Sequence, residues 1–240
     1  MPRTQLPPPL PPETRPVGQL VAESVRLYGD SFWRALPLGL PIALVNQIAA
    51  GHDLWVQVAI LAAAAPALSA AYVGACLLVR PGPWALPLAL GTALMLPVPL
   101  LMLLYVLPAV AWLALIGLAV PAALYERLGV RGALARGLQL GRADYAHALG
   151  SLAALTIIFG VTKLALIVVL HGQADAAERS ALFLADLVLS PLLFLGGALL
   201  YFDQAARVES SPLSRRKRDG DLHSAVESDV SGRPDTQVEP

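Results

Sequence analysis

The sequence predicts an all-α protein: a polytopic transmembrane helical bundle of six spans, with two cytoplasmic interfacial amphipathic helices. Three observations lead there. Of 240 residues, 56% are hydrophobic and only 14% are charged, with a mean hydropathy of +0.63. A soluble domain carries about 25% charge and could not expose this much hydrocarbon to water. No charged residue occurs from Trp84 to Tyr125. The arginines gather between alternate apolar runs, most densely as Arg127, Arg131, Arg136 and Arg142. Positive charge beside membrane spans marks the cytoplasmic side, so this basic segment orients the whole chain.

Taken in order, residues 1–15 contain PPPLPP, which favours polyproline II and builds no core, and they read as a disordered tail. No apolar stretch precedes a small-residue cleavage site there, so no secretory signal peptide is expected. Residues 16–31 read as the first interfacial helix. Val17, Leu20, Val21, Val25, Tyr28 and Phe32 recur at helical spacing, while Glu23, Arg26 and Asp30 take other positions. The segment is too short and too charged to span. Trp33 and Arg34 anchor the first span, 33–50. The second span, 54–79, contains LAAAAPALSAAYVGA, whose small residues let neighbouring backbones approach closely.

The uncharged stretch 84–125 would make about 63 Å of helix at about 1.5 Å per residue, against a hydrocarbon core of about 30 Å. It is expected to cross twice, as spans 84–102 and 104–125. Pro97-Val98-Pro99 is the expected site of the break, with Pro108 next. A second interfacial helix follows at 128–144. Spans 147–170 and 181–202 are joined by a polar loop, and a disordered tail at 207–240 holds Arg215-Arg216-Lys217-Arg218. The membrane domain covers 16–206. The expected outer loops carry only Arg179, which puts both termini in the cytoplasm of a cell bounded by this plasma membrane.

The two interfacial segments echo each other. Shifted by 113 positions, VGQLVAESVRLYGDSFWRAL lies over VRGALARGLQLGRADYAHAL, with Val17/Val130, Ala22/Ala135, Leu27/Leu140, Ala35/Ala148 and Leu36/Leu149 identical. A parallel internal repeat and the common look of any amphipathic helix entering a membrane both account for this. The segments RPVGQLVAESVRLYGDSFW (15–33) and VPAALYERLGVRGALARGLQLGRADYAHALG (120–150) resemble those of a family of bacterial six-span integral membrane proteins of unknown function. That family is itself compared with the membrane domain of glycerophosphoryl diester phosphodiesterases. The resemblance covers about residues 15–205 and implies the fold and topology. It does not imply diesterase activity, because no region is large enough for the catalytic domain and the tails carry no cluster of carboxylates and histidines.

Lys163 and Asp186 are the candidate site residues, an intramembrane charge pair. An ionised side chain at mid-membrane costs about 2.5–3.5 kcal/mol. Both lie about 8–11 Å below the outer surface on spans that should be antiparallel neighbours. Such a pair serves an ion or proton relay, a headgroup site, or a structural clamp. Asn46, Gln47 and Gln57 could line a polar vestibule with it or act as interfacial caps. Arg127, Arg131 and Arg142 are candidate contacts for anionic lipid.

No catalytic, cofactor or metal site is expected: the four histidines are scattered, and Cys76 is the single cysteine. A net charge of zero points to no nucleic-acid partner. The expected partners are membrane lipids, and a protein partner or a second copy of the chain. The expected function is that of a non-enzymatic membrane protein acting through lipid or partner contact. The alternative is a small transporter or permease component with a polar site between spans five and six.

Overall fold

The computed structural model describes residues 15–171 and 174–210, and every regular element among them is helical. The elements are α1 (Val17–Asp30), α2 (Phe32–Ala35), a 3-10 turn (Leu36–Gly39), α3 (Leu40–Ala49), α4 (Leu54–Ala63) and α5 (Ala65–Val79). They continue as α6 (Ala85–Met95), α7 (Val98–Leu104), α8 (Val106–Ile116), α9 (Ala119–Tyr125), α10 (Val130–Ala143), α11 (Tyr145–Leu170) and α12 (Asp175–Ser210). The proline-rich run and the 215–218 cluster lie outside the described residues.

Four stretches are long and apolar enough to cross a membrane: Ala85–Leu104, Val106–Tyr125, Tyr145–Leu170 and Asp175–Ser210. The bent pair α4–α5 makes a fifth if it is counted as one span. The expected first span, 33–50, is not a single helix. It is assembled from α2, the 3-10 turn and α3, because Pro37 and Pro41 stand in the first turns of the second and third pieces and lack the N–H that a continuous helix needs. The expected second span, 54–79, bends by 49° between α4 and α5, where Pro66 stands in the first turn of α5.

The reversal within 84–125 falls at Tyr105 rather than at Pro97-Val98-Pro99. Pro97 is the N-cap of α7 and Pro99 lies in its first turn. A missing N–H has no helical acceptor to lose at such positions, so α6 and α7 continue as one apolar stretch. Tyr105 has φ 150° and ψ 168°, a region that side chains rarely adopt. Across it α7 packs on α8, and α6 packs on α9. The loop expected at 171–180 is shorter than anticipated. Helix resumes at Asp175, with Asp175 and Glu178 in its first turn, where acidic side chains suit the helix dipole. At its other end α12 runs on to Ser210, past the expected start of the tail at 207.

The long helix α12 sits at the centre, packed on α1, the 3-10 turn, α3, α5 and α11. Pro191 lies inside it without ending it. The missing N–H leaves the Leu187 carbonyl without its usual helical donor. Gly39 is pressed against that carbonyl, so closely that a Cβ would run into the oxygen. A second close approach seats α10 on the bundle: a Cβ at Gly141 would meet the Leu115 carbonyl oxygen. By contrast, α11 buries only Ala148, Ser151 and Leu155. It turns Ile157, Val161, Leu164, Val168 and Val169 outward, an apolar surface suited to hydrocarbon and not to water.

The echo between the interfacial segments extends to the backbone. The bounds of α1 and α10 coincide at the same offset of 113, as do the breaks at Ser31 and Asp144 and the helix starts at Phe32 and Tyr145. Their buried faces coincide as well: Leu20 with Ala133, Ser24 with Gly137, Tyr28 with Gly141 and Ala35 with Ala148. The two copies then diverge, because Pro37 and Pro41 break the helix after α1 while α11 runs unbroken.

The close approaches set a test. Gly39→Ala and Gly141→Ala should each destabilise the protein by about 1–3 kcal/mol, since backbone must move to admit the methyl group. Gly18→Ala, with nothing within 4 Å of the new carbon, should be neutral or stabilise by up to about 1 kcal/mol. Thermal loss of monodispersity in detergent would rank the three. An equal midpoint for all would contradict the packing of α12 and α10 described above.

Candidate functional site

Each end of α12 carries a buried carboxylate. At one end is Asp186, 1% exposed. Lys163 of α11 places Nζ 2.8 Å from Asp186 Oδ1 and donates a hydrogen bond to Oδ2 at 3.1 Å. Asn46 of α3 donates from Nδ2 to the same Oδ2 at 2.7 Å. Oδ1 therefore has a charge contact but no aligned donor. Beneath the ammonium the Phe159 ring centre lies 5.4 Å from Nζ, which adds a cation–π attraction. The Ser190 hydroxyl bonds to the Asp186 carbonyl. Antiparallel packing brings the pair together, since α11 and α12 are joined by a short connection and Lys163 and Asp186 lie at matching heights.

Of the other polar residues expected near this pair, only Asn46 reaches it. Gln47 donates to the Arg179 carbonyl at 2.7 Å, which ties α3 to the start of α12. Gln57 turns back to the His52 carbonyl at 2.8 Å, within its own loop, and lines nothing with Lys163.

At the other end of α12 is Asp203, fully buried. Arg15, just ahead of α1, donates from Nη1 to Asp203 Oδ1 at 3.0 Å. Arg207, one turn beyond Asp203, donates from Nη1 to Asp144 Oδ2 at 2.8 Å and from Nη2 to the Arg15 carbonyl at 2.8 Å. Asp144 also caps α11, accepting from the His147 amide at 3.1 Å, and its carbonyl accepts from Gln204 Nε2 at 3.2 Å. Five buried polar atoms here have no hydrogen-bond partner among the described residues: Arg15 Nε, His147 Nε2, Asp203 Oδ2, Gln204 Oε1 and Arg207 Nε. Withdrawn polar atoms normally find a partner in protein or water, so this end is built for more than apolar packing.

Beside it, Glu126 Oε1 accepts from Tyr201 Oη at 2.6 Å and from Arg136 Nε at 2.8 Å, which joins α10 to α12. Of these residues the sequence marks only Arg136, within the basic segment, and not the cluster. The available signal was a set of opposite charges (Arg15, Asp144, Asp203 and Arg207) crowded at the ends of apolar runs.

The candidate lipid-contact residues stand apart from both clusters. Arg127, Arg131 and Arg142 are exposed, and no ion pair holds any of them among the described residues. Arg127 has φ 54°, the left-handed turn that starts the approach to α10. Arg131 and Arg142 are three turns apart on one stripe of α10, opposite the buried Ala133, Gly137, Leu140 and Gly141.

No known protein family, curated protein or solved structure matches this chain.

Breaking the Lys163–Asp186 pair from one side should be costly, because it strands a buried charge. Asp186→Leu or Lys163→Met alone should lose about 3–5 kcal/mol. The apolar double replacement Lys163→Met with Asp186→Leu should recover most of that loss. A thermal-unfolding double-mutant cycle measures the coupling. Additive single effects would mean that the two charges do not depend on each other.

Proposed function

We propose that this chain is a six-pass protein of a plasma membrane, with no catalytic role, that presents a basic helix to anionic lipid headgroups. The observation that carries the reading is the outward stripe of α10. Arg131 and Arg142 are exposed on it with no ion partner among the described residues, while the opposite face is seated on α8 and α9. Cations near a charged leaflet gain about 1 kcal/mol each. Arg127 joins them at the start of the segment.

Six passes are supported by where the ends of the elements gather, although only four or five stretches are long enough by themselves. Arg15, Asp144 and Asp203 meet at one end of the bundle, whereas Asn46, Lys163 and Asp186 meet at the other. The broken run α2–α3 then counts as a crossing. The basic end is cytoplasmic on this reading, and so are both termini. The likeness of 15–33 and 120–150 to bacterial six-span proteins of unknown function points the same way. A second reading, a small transporter or permease component, is favoured by one observation: Asp186 Oδ1 is buried between α11 and α12 without an aligned donor.

Native mass spectrometry of the protein released directly from its own membrane tests both. Wild type should retain anionic phospholipid. Replacing Arg127, Arg131 and Arg142 together by Gln should weaken retention by about fivefold per arginine. Unchanged lipid retention in the triple variant would sink the lipid reading. A retained solute of defined mass, lost on Asp186→Asn, would select the transporter.

A further inference from the structure

The Arg15 end of the bundle contains an acid and a base facing each other. His147 Nε2 and Asp203 Oδ2 are 3.8 Å apart, neither has a hydrogen-bond partner among the described residues, and the side chains are 8% and 0% exposed. The state of the imidazole follows from its other nitrogen. Nδ1 lies 3.4 Å from Arg207 Nη2. A guanidinium only donates, so Nδ1 accepts, and the ring proton sits on Nε2, directed at Asp203.

We propose that His147 and Asp203 form a proton-binding site whose occupancy controls the docking of α1. A proton taken up from water enters the ring at Nδ1 by displacing the Arg207 donor from that lone pair. The ring then has a donor on both nitrogens. Nδ1–H faces the donor-only Arg207, so that contact turns repulsive. Nε2–H, now part of an imidazolium, is drawn onto Asp203 Oδ2. The carboxylate that held Arg15 is shared with a second cation, and Arg207, displaced from His147, loses its placement on the Arg15 carbonyl. Both ties that hold the start of α1 to α12 weaken together.

Among the surrounding charges, Asp144 acts in the same sense and Arg207 against it. Asp144, at the N-cap of α11, accepts from both Arg207 and the His147 amide, and so stabilises the displaced guanidinium. No covalent bond changes, and the single proton taken up is returned to water when the pH rises.

Hydrogen–deuterium exchange of α1 in the full chain, held in lipid nanodiscs and corrected for the intrinsic pH effect, reads the docking directly. Histidine titrates near pH 6.5 when unperturbed, so spectra between about pH 8 and about pH 5 bracket the change. In wild type, the opening of α1 should rise on acidification by up to about tenfold per pH unit, the limit for one linked proton. His147→Gln should stay protected across the range. Arg15→Gln, which removes the tie from a partly exposed side chain outside the core, should exchange fast at every pH. Circular dichroism and gel filtration would show that each variant is folded. The proposal is overturned by a flat wild-type profile. It is equally overturned if His147→Gln keeps the wild-type pH dependence, or if Arg15→Gln leaves α1 protected at neutral pH.

Discussion

A carboxylate inside an apolar bundle has no water to lean on, and the architecture of this protein follows from satisfying two of them on one helix. Asp186 and Asp203 stand on α12 about 25 Å apart at about 1.5 Å per residue. Each is met by a cation delivered from elsewhere in the chain, Lys163 from α11 and Arg15 from ahead of α1. Leaving either charge unpaired would cost several kcal/mol. The helices that supply the partners must therefore pack where they do: α3 and α11 against one end of α12, α1 and the start of α11 against the other.

Between the two ionic ends the packing is close. Leu155 of α11 lies against Gly196, and Tyr72 of α5 lies over Gly197. The Tyr72 hydroxyl reaches the carbonyls of Gly117 and Gly197 at 3.4 Å each. Lipid tails are as apolar as these side chains, so hydrophobic exclusion gives helices little reason to associate within a membrane. Small residues that admit close backbone contact, together with hydrogen bonds to carbonyls, provide that reason instead. Gly39 facing the carbonyl released by Pro191 belongs to the same logic, because a defect in one helix is covered by the neighbour that has no side chain to exclude it.

Helices α1 and α10 show how one sequence pattern serves two surroundings. α1 and α10 share their length, their flanking breaks and the register of their buried faces. α1 is held by ions at its start and packs on α11 and α12, whereas α10 is held by glycine contacts on α8 and α9 and by Arg136 on Glu126. This leaves α10 free to turn an unpaired basic stripe outward.

The sequence by itself determined that the protein is helical and rich in long apolar runs, that α1 and α10 fall within the segments 16–31 and 128–144, and that Lys163 and Asp186 lie at one height. Each of these rests on local information, namely hydropathy, helical spacing and rise per residue. Only the tertiary structure decided that residues 33–50 form three short pieces and that the chain reverses at Tyr105. Proline removes a donor, but whether a helix breaks there depends on whether the position was a first turn that needed none. Nor could spacing reveal that Asn46 joins Asp186 while Gln57 does not, or that Arg15, Asp144, His147, Asp203 and Arg207 meet. Those residues lie as far as 192 positions apart. Their contact is set by the order in which helices surround α12, which no local pattern encodes.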